Sequence, residues 1–309
     1  MKAAILREAG SAPEPGETDP PSPGEGETTI DVLAAGVNPV DIQLAPRVPA
    51  DQLPLVPGRE GVGRTPDGAR VYFEGAIAPH GSFAEQALAA TNKLIPVPEG
   101  LDDATAVAFG IAGLAGWVSV EWRAALQPGE TVLVLGAGGV VGQVAVQAAR
   151  LLGAGRVVAA SRSAEGRDRA EGLGADATVD LSADGDLTAA MADASEGGAD
   201  VIVDPVWGKP AAAALRAVKP GARLVQIGEA AGAEAPIASG PLRMSQVQVL
   251  GYANAAAPPD VKRAAYGRML EHALRGELGL EIEQTALDDV AETWERQKSA
   301  GGLKLVIVP

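Results

Sequence analysis

The sequence predicts an α/β protein in which a doubly wound parallel sheet follows a β-rich domain of about 110 residues. Three observations predict it. Residues 131–163 read TVLVLGAGGVVGQVAVQAARLLGAGRVVAASRS, a strand, glycine turn, helix and strand in immediate succession. After that stretch, apolar runs of strand length alternate with helical patterns. Before it, the chain is dense in glycine and proline and broken into short apolar runs.

In chain order, KAAILRE, TTIDVLAAGV, GARVYFEG, SFAEQALAA and NKLIPVP have the length and β-branched content of strands joined by tight turns. The acidic, proline-rich GSAPEPGETDPPSPGEGE is expected to be a surface loop between the first two. From Ala104 to Leu126 the pattern turns helical, and QPGE marks the turn into the next strand. TVLVLG is too short and too β-branched for a helix and reads as a strand buried on both faces. From Gly139 to Leu152 apolar residues recur at helical spacing, interrupted by Gln143, Gln147 and Arg150, and Gly153 fits the exit. RVVAA, ADATVD, DVIVDPV, ARLVQIG and QVQVLGYA are the later strands. AEGRDRAEGLG, LTAAMADASEG and KPAAAALRAVKPG are the helices between them. The tail predicts helices over Val261 to Arg275 and Asp288 to Ala300, then the strand KLVIVP.

A glycine turn between a parallel strand and a helix places free N–H groups and the positive dipole end against a pyrophosphate. Counting Gly136-x-Gly138-x-x gives Val141 where a third glycine is expected. Counting Ala137-x-Gly139-x-x-Gly142 restores the spacing with alanine first. The context predicts a Rossmann dinucleotide site, against a tight turn that binds nothing. An NAD site wants a carboxylate about 20 residues on. This chain offers Ser161-Arg162-Ser163, then Arg167 and Arg169, with no carboxylate before Glu165. A guanidinium there would pair with a 2′-phosphate, which favours NADPH. The alternative is that Arg162 is a solvated loop charge.

Composition narrows the functional classes. Acidic residues outnumber basic ones 40 to 25, a net charge of −15, so nucleic acid is disfavoured as a partner. There is no cysteine, hence no disulfide, cysteine nucleophile or thiolate metal site. His80 and His272 are the only histidines, far apart in sequence, so a metal centre is not expected. His80 reads as a loop residue and His272 as helix surface. No apolar run is expected to reach the roughly 20 residues that span a bilayer, and MKAAILREAG lacks a signal-peptide core. A soluble, cytoplasmic protein with no membrane partner is the expectation.

The fragments KAAILREAG, AAGVNPVDIQLA, PLVPGREGVG, GSFAEQALAATNKLIPVPEGL, AGGVVG, PGARLVQIG and GGLKLVIVP resemble, in order, those of the medium-chain dehydrogenase/reductase superfamily. Within it, the chain resembles the zinc-independent, quinone-oxidoreductase-like branch. The resemblance implies a GroES-like catalytic domain over 1–110, completed by 254–309, and a Rossmann cofactor domain over 111–253. Where zinc alcohol dehydrogenases have a ligand cysteine and a ligand histidine, this chain has Asn38 and Arg59.

The resemblance further implies that Asn38 and Asp41 lie near the nicotinamide, Asn38 offering its amide or else only tying down the turn before Pro39. Backbone N–H groups of Ala137, Gly138, Gly139, Val140 and Val141 would meet the pyrophosphate, with Ser161 and Arg162 at the adenosine end. Asp204, Pro205 and Val206 would stand at the crevice mouth and Gly228 at the nicotinamide. Lys304 would add a charge near the phosphates or be solvated. Tyr252 could donate a proton or be a strand-end packing residue; Trp207 and Arg59 are further polar candidates. Two family features are absent: Gln43 stands where a tyrosine is common, and Ala115 turns GLT into GLA. The implied activity is hydride transfer from NADPH to a quinone, enone or other small carbonyl substrate. A zinc-free alcohol dehydrogenase or carbonyl reductase and a non-catalytic NADPH-binding protein remain as alternatives. Pairing of the QVQVLGYA edge would make a homodimer.

Overall fold

The computed structural model describes residues 1–299 and 301–309 and divides into two compact units, Met1–Ala112 with Tyr266–Pro309, and Gly113–Ala265. The second boundary falls inside the helix Pro259–Leu274, beyond the expected 253/254.

The first unit is built on a seven-stranded sheet. The long strand Glu27–Gly36 lies at its centre, pairing antiparallel with Glu60–Arg64, Gln86–Ala90 and the C-terminal strand Lys304–Val308. Arg70–Glu74 continues the sheet beyond Glu60–Arg64, and Ile282–Ala286 runs parallel to Lys304–Val308. Its core gathers Ile30, Phe73, Phe83, Trp294 and Ile307. The first strand, Lys2–Ile5, pairs with Glu14–Glu17, so part of the expected surface loop is a strand. The expected helix from Asp288 is the shorter Val290–Gln297, and Ala300 lies outside the described residues.

The second unit holds six parallel strands, Thr131–Leu135, Arg156–Ser161, Ala177–Asp180, Ala199–Asp204, Val218–Gln226 and Gln248–Gly251. Numbered along the chain, they lie in the order 3-2-1-4-5-6, the doubly wound arrangement. The first strand is buried along its whole length, as its unbroken apolar run requires. The glycine turn leaves that strand where the chain order reverses, the switch point at which ligands bind such sheets. Gln248–Gly251 is an edge strand whose Val249 is exposed.

The helical pattern expected from Ala104 to Leu126 is the run Asp103–Arg123, whose regularity Gly110, at ψ −121°, breaks. Contrary to the sequence expectation, this 21-residue run is long and apolar enough to cross a bilayer by length and composition. Yet 83% of its most apolar window is buried inside the protein, as in a core helix. Two short helices, Pro39–Leu44 and Ser239–Ser245, carried no periodicity that would have announced them.

Candidate functional site

At the switch point of the second unit, the chain turns at Gly136 with φ +62°, a backbone conformation that side-chain-bearing residues avoid. Gly139 caps the twelve-residue helix Val140–Leu151 with extended dihedrals. The turn holds itself together through two of its own N–H groups. Ala137 donates to Ala160 O and Gly139 to Gly136 O, both at 3.0 Å. That corrects the expectation that all five N–H groups face a pyrophosphate, because these two are already bonded. Among the described residues, none accepts from the N–H of Gly138, Val140 or Val141, which leaves these three. Gly138 is held close to the next turn: a Cβ there would lie 2.8 Å from Ser161 Oγ and 3.0 Å from Gly166 Cα. The turn is thus a cradle that side chains would fill, and it suits a dinucleotide pyrophosphate.

Ser161 is buried at the end of the second strand, and Arg162 after it is exposed. No described residue pairs with the Arg162 guanidinium. Arg167 is different: its guanidinium donates to Ser161 O and Arg162 O, each at 3.1 Å, and pairs with Asp180 at 3.1 Å. It braces the loop that presents Arg162 and has little left for a phosphate.

Asp204, Pro205, Val206 and Gly228 gather on the other side of the same turn. A Cβ on Gly136 would lie 2.7 Å from Val206 Cγ1, and one on Gly228 2.7 Å from Pro205 O. Asp204 Oδ1 accepts from the N–H groups of Val206 (3.0 Å) and Trp207 (2.7 Å), holding Trp207 at φ +57°. Its Oδ2 is buried without a partner among the described residues. Burial pushes the carboxyl up from 3.8 to about 6, against the pull of the two N–H groups.

A raised acid pKa means that the folded chain keeps a proton the unfolded chain releases. Stability is therefore fullest below pH 4 and declines as pH climbs towards 6. An asparagine at this position would keep the acceptor and carry no charge. Asp204→Asn is expected to leave stability unchanged at pH 4 and raise it at pH 8, by up to ~3 kcal/mol. Urea unfolding at the two pH values checks this, and equal stability of the two proteins at pH 8 would refute it. Tyr252, 8% exposed, donates to Asn254 Oδ1 at 2.6 Å, so its phenol proton is engaged locally.

The first unit contains a buried polar network that the sequence did not announce. Glu60, fully buried, accepts through Oε1 from Asn38 Nδ2 (2.7 Å) and Lys304 Nζ (3.0 Å). Through Oε2 it accepts from Tyr72 OH (3.0 Å) and the N–H of Ile111 (2.5 Å). Burial, then the Glu60 charge, push the Tyr72 phenol well above 10, so it stays a donor. Tyr72 stacks on Tyr266 with ring centroids 4.6 Å apart.

Lys304 is 2% exposed and spends its three N–H bonds on Val37 O (3.1 Å), Asn38 Oδ1 (2.8 Å) and Glu60. The expectation of a charge near the phosphates, or of a solvated lysine, is therefore corrected. Of the two readings of Asn38, the amide offered to a cofactor is corrected: Nδ2 also donates to Gly36 O (3.2 Å), so every polar side-chain atom is engaged inside the protein and ties down the turn. Asp41 accepts from the Asn38 N–H through Oδ2 (2.9 Å), while Oδ1 is buried with no partner among the described residues. Burial is the largest cause raising Asp41 from 3.8 to about 7; Glu60 adds to it, and Lys304 and Arg59 oppose it.

Among the described residues, no cluster of three or more histidine, cysteine, aspartate or glutamate side chains could hold a metal ion. The donor set at the position equivalent to a zinc site also fits poorly. Arg59 is a cation, Asn38 is fully engaged, and no cysteine exists.

A doubly wound sheet with a glycine turn at its switch point, in a chain whose other unit is a mostly antiparallel β-fold, defines a two-unit dehydrogenase or reductase. The family model described as zinc-binding dehydrogenase matches residues 140–270. The chain is 32% identical over 252 residues, 76% of its length, to the mouse quinone oxidoreductase-like protein 2, of which 70% is covered. It is 28% identical to an alcohol dehydrogenase of Geobacillus stearothermophilus, covering 96% of both chains. The quinone oxidoreductase of Thermus thermophilus, whose structure was also solved with NADPH, superposes with a TM-score of 0.84 at 30% identity over the whole of both chains. The chain belongs to the medium-chain dehydrogenase/reductase superfamily of oxidoreductases, in its quinone-oxidoreductase-like branch.

Proposed function

We propose that the protein reduces a quinone or an α,β-unsaturated carbonyl with NADPH, and that it does so without a metal ion. The observation that carries this reading is the turn at Gly136–Gly142, with three N–H groups unclaimed and the Arg162 guanidinium unpaired among the described residues. Bound there, the dinucleotide supplies a hydride from its reduced nicotinamide. The residues of the chain bind and orient it. Gly138, Val140 and Val141 take the pyrophosphate at the helix N-terminus. Arg162 takes the 2′-phosphate through forked, charge-assisted hydrogen bonds, on a loop braced by Arg167. Asp204, Pro205, Val206 and Gly228 form the opposite wall of the turn. With no cysteine and no free imidazole pair to hold zinc, the electrophile must be activated already or be polarised by hydrogen bonds. Quinones and enones meet that demand, because their developing charge spreads onto an oxygen.

The alcohol dehydrogenase relative supports a second reading, reduction of a ketone or aldehyde. The two separate on a panel: NADPH oxidation is followed with quinones, enones, aldehydes and ketones, before and after exhaustive chelation. Turnover of quinones or enones that survives chelation is expected. Turnover confined to ketones and aldehydes, or lost on chelation, overturns the proposal.

Cofactor choice has its own test. Arg162→Asp is expected to weaken NADPH about a hundredfold relative to NADH, because the guanidinium is lost and a carboxylate suits the 2′-hydroxyl. An unchanged ratio of the two affinities would place the 2′-phosphate elsewhere. We further propose a cytoplasmic homodimer, paired through the exposed edge strand Gln248–Gly251. A monomeric mass by light scattering would overturn that.

A further inference from the structure

Within the second unit, Trp207 carries a backbone that suits glycine. Its φ of +57° with ψ −155° lies in a region that residues with a side chain rarely enter, and Gly208 follows at φ +66°. The half-buried indole packs against the apolar core of the doubly wound sheet, which gives the position a reason to be tryptophan. Its backbone is held by a carboxyl. Asp204 Oδ1 accepts from the N–H groups of both Val206 and Trp207, and no other described group accepts from either.

Asp204 is fully buried, so it touches no ligand itself. The turn it shapes meets the dinucleotide cradle on one side and a neighbouring loop on the other. Val206 Cγ1 stands 2.7 Å from where a Cβ on Gly136 would be, and Pro205 O equally close to one on Gly228. Val206 O also accepts from the Ala231 N–H at 2.7 Å. Gly136 O in turn accepts the Gly139 N–H that closes the cradle.

We propose that Asp204 is a positioning residue for the dinucleotide: its carboxyl holds the strained turn 205–207, and through Val206 that turn keeps the Gly136 cradle in shape. The role rests on the reading that the cradle binds a dinucleotide. What it demands of residue 204 is a side-chain oxygen that accepts two N–H bonds at once; charge is not required. Without that oxygen Trp207 relaxes towards negative φ. The rotation moves Val206, its neighbour in the chain, away from Gly136, and the free N–H groups of Gly138, Val140 and Val141 lose their arrangement. Glycine at 207 adopts the same dihedrals without penalty, so the turn then has no need of the carboxyl. Strain and restraint form a coupled pair, which a double-variant cycle exposes.

Calorimetric titration of the full chain with NADPH at neutral pH tests this, with melting curves to verify that each variant is folded. Asp204→Ala is expected to weaken NADPH about tenfold, because small displacements of positioned donors cost that much or more. Asp204→Asn keeps the acceptor and should restore affinity to within about threefold of wild type. On a Trp207→Gly background, adding Asp204→Ala should change affinity by less than about threefold. If Asp204→Ala does not fold, Asp204→Leu, similar in shape and without an acceptor, takes its place in both backgrounds. A purely structural role would lower the melting temperature and leave the affinity of the folded variant at the wild-type value; that result overturns the proposal. An equal loss in both backgrounds, or a loss in Asp204→Asn as large as in Asp204→Ala, overturns it too. If wild type binds NADPH or NADH and the Asp204 variants bind it equally well, this role falls and the cofactor reading stands. If wild type binds neither, both fall.

Discussion

Glu60→Gln is expected to destabilise the first unit by about 3–5 kcal/mol, the cost of leaving a buried charge without its partner. Four donors converge on Glu60: Asn38 Nδ2 and Lys304 Nζ on one oxygen, Tyr72 OH and the Ile111 N–H on the other. A carboxylate accepts on both sides, whereas an amide has one oxygen and one NH₂. Whichever way the substituted amide turns, two donors face an NH₂ group. The Lys304 ammonium is left buried among neutral acceptors. Nor can the neighbours relax far, because a Cβ on Gly110 would already overlap Glu60 Oε2 and Tyr72. Lys304→Met should cost a similar amount by orphaning Glu60. The double variant should lose less than the sum, since the remaining groups are then uncharged. Urea unfolding of the full chain, followed by Trp fluorescence, measures all three. A Glu60→Gln loss below about 1 kcal/mol would show that the pair is not the clamp its geometry describes.

That network shows why part of this protein was legible in its sequence and part was not. The doubly wound unit was readable because its signals are local: a buried strand, a turn and a helix occupy adjacent positions from Thr131 to Leu151. The polar cluster of the first unit is a product of distant pairing. Lys304 stands 244 residues from Glu60, and only the register of Val306 against Gly36 brings the C-terminal strand beside the turn at Asn38. At the head of KLVIVP, a lysine looks like any solvated charge that starts a strand. The glutamate of PGREGVG, visible within its motif, gave no sign that it would be fully buried. In the same way, Glu14–Glu17 has no apolar alternation and becomes a strand only by pairing with Lys2–Ile5. Tyr72 was the one faint signal, since a phenol in the middle of a buried strand demands a polar partner. The N–H groups of Ala137 and Gly139 were misjudged for a related reason. A motif tells which residues turn the chain, not which of their donors the turn itself consumes.

The glycine turn also yields the sharpest functional contrast. Gly142→Ala is expected to lower NADPH-dependent kcat/KM on the order of a hundredfold, and Gly139→Ala to leave it within a factor of about three. A Cβ at Gly142 would overlap Gly136 O and lie 2.6 Å from Ala137 Cα, both backbone atoms that no rotamer change can move. The helix Val140–Leu151 must therefore shift away from the strand Thr131–Leu135, carrying the free N–H groups of Val140 and Val141 off their positions. Displacements near 1 Å at a positioned donor are enough for a loss of that size. Gly139 has ordinary dihedrals (φ −82°, ψ 161°), and a Cβ there would approach only Gly136 O, at 3.5 Å. Its N–H already serves the turn and alanine keeps it. Fluorescence titration with NADPH separates lost binding from lost turnover in each variant. Were Gly139→Ala the damaging change and Gly142→Ala the silent one, the pyrophosphate would lie on the loop rather than on the helix N-terminus.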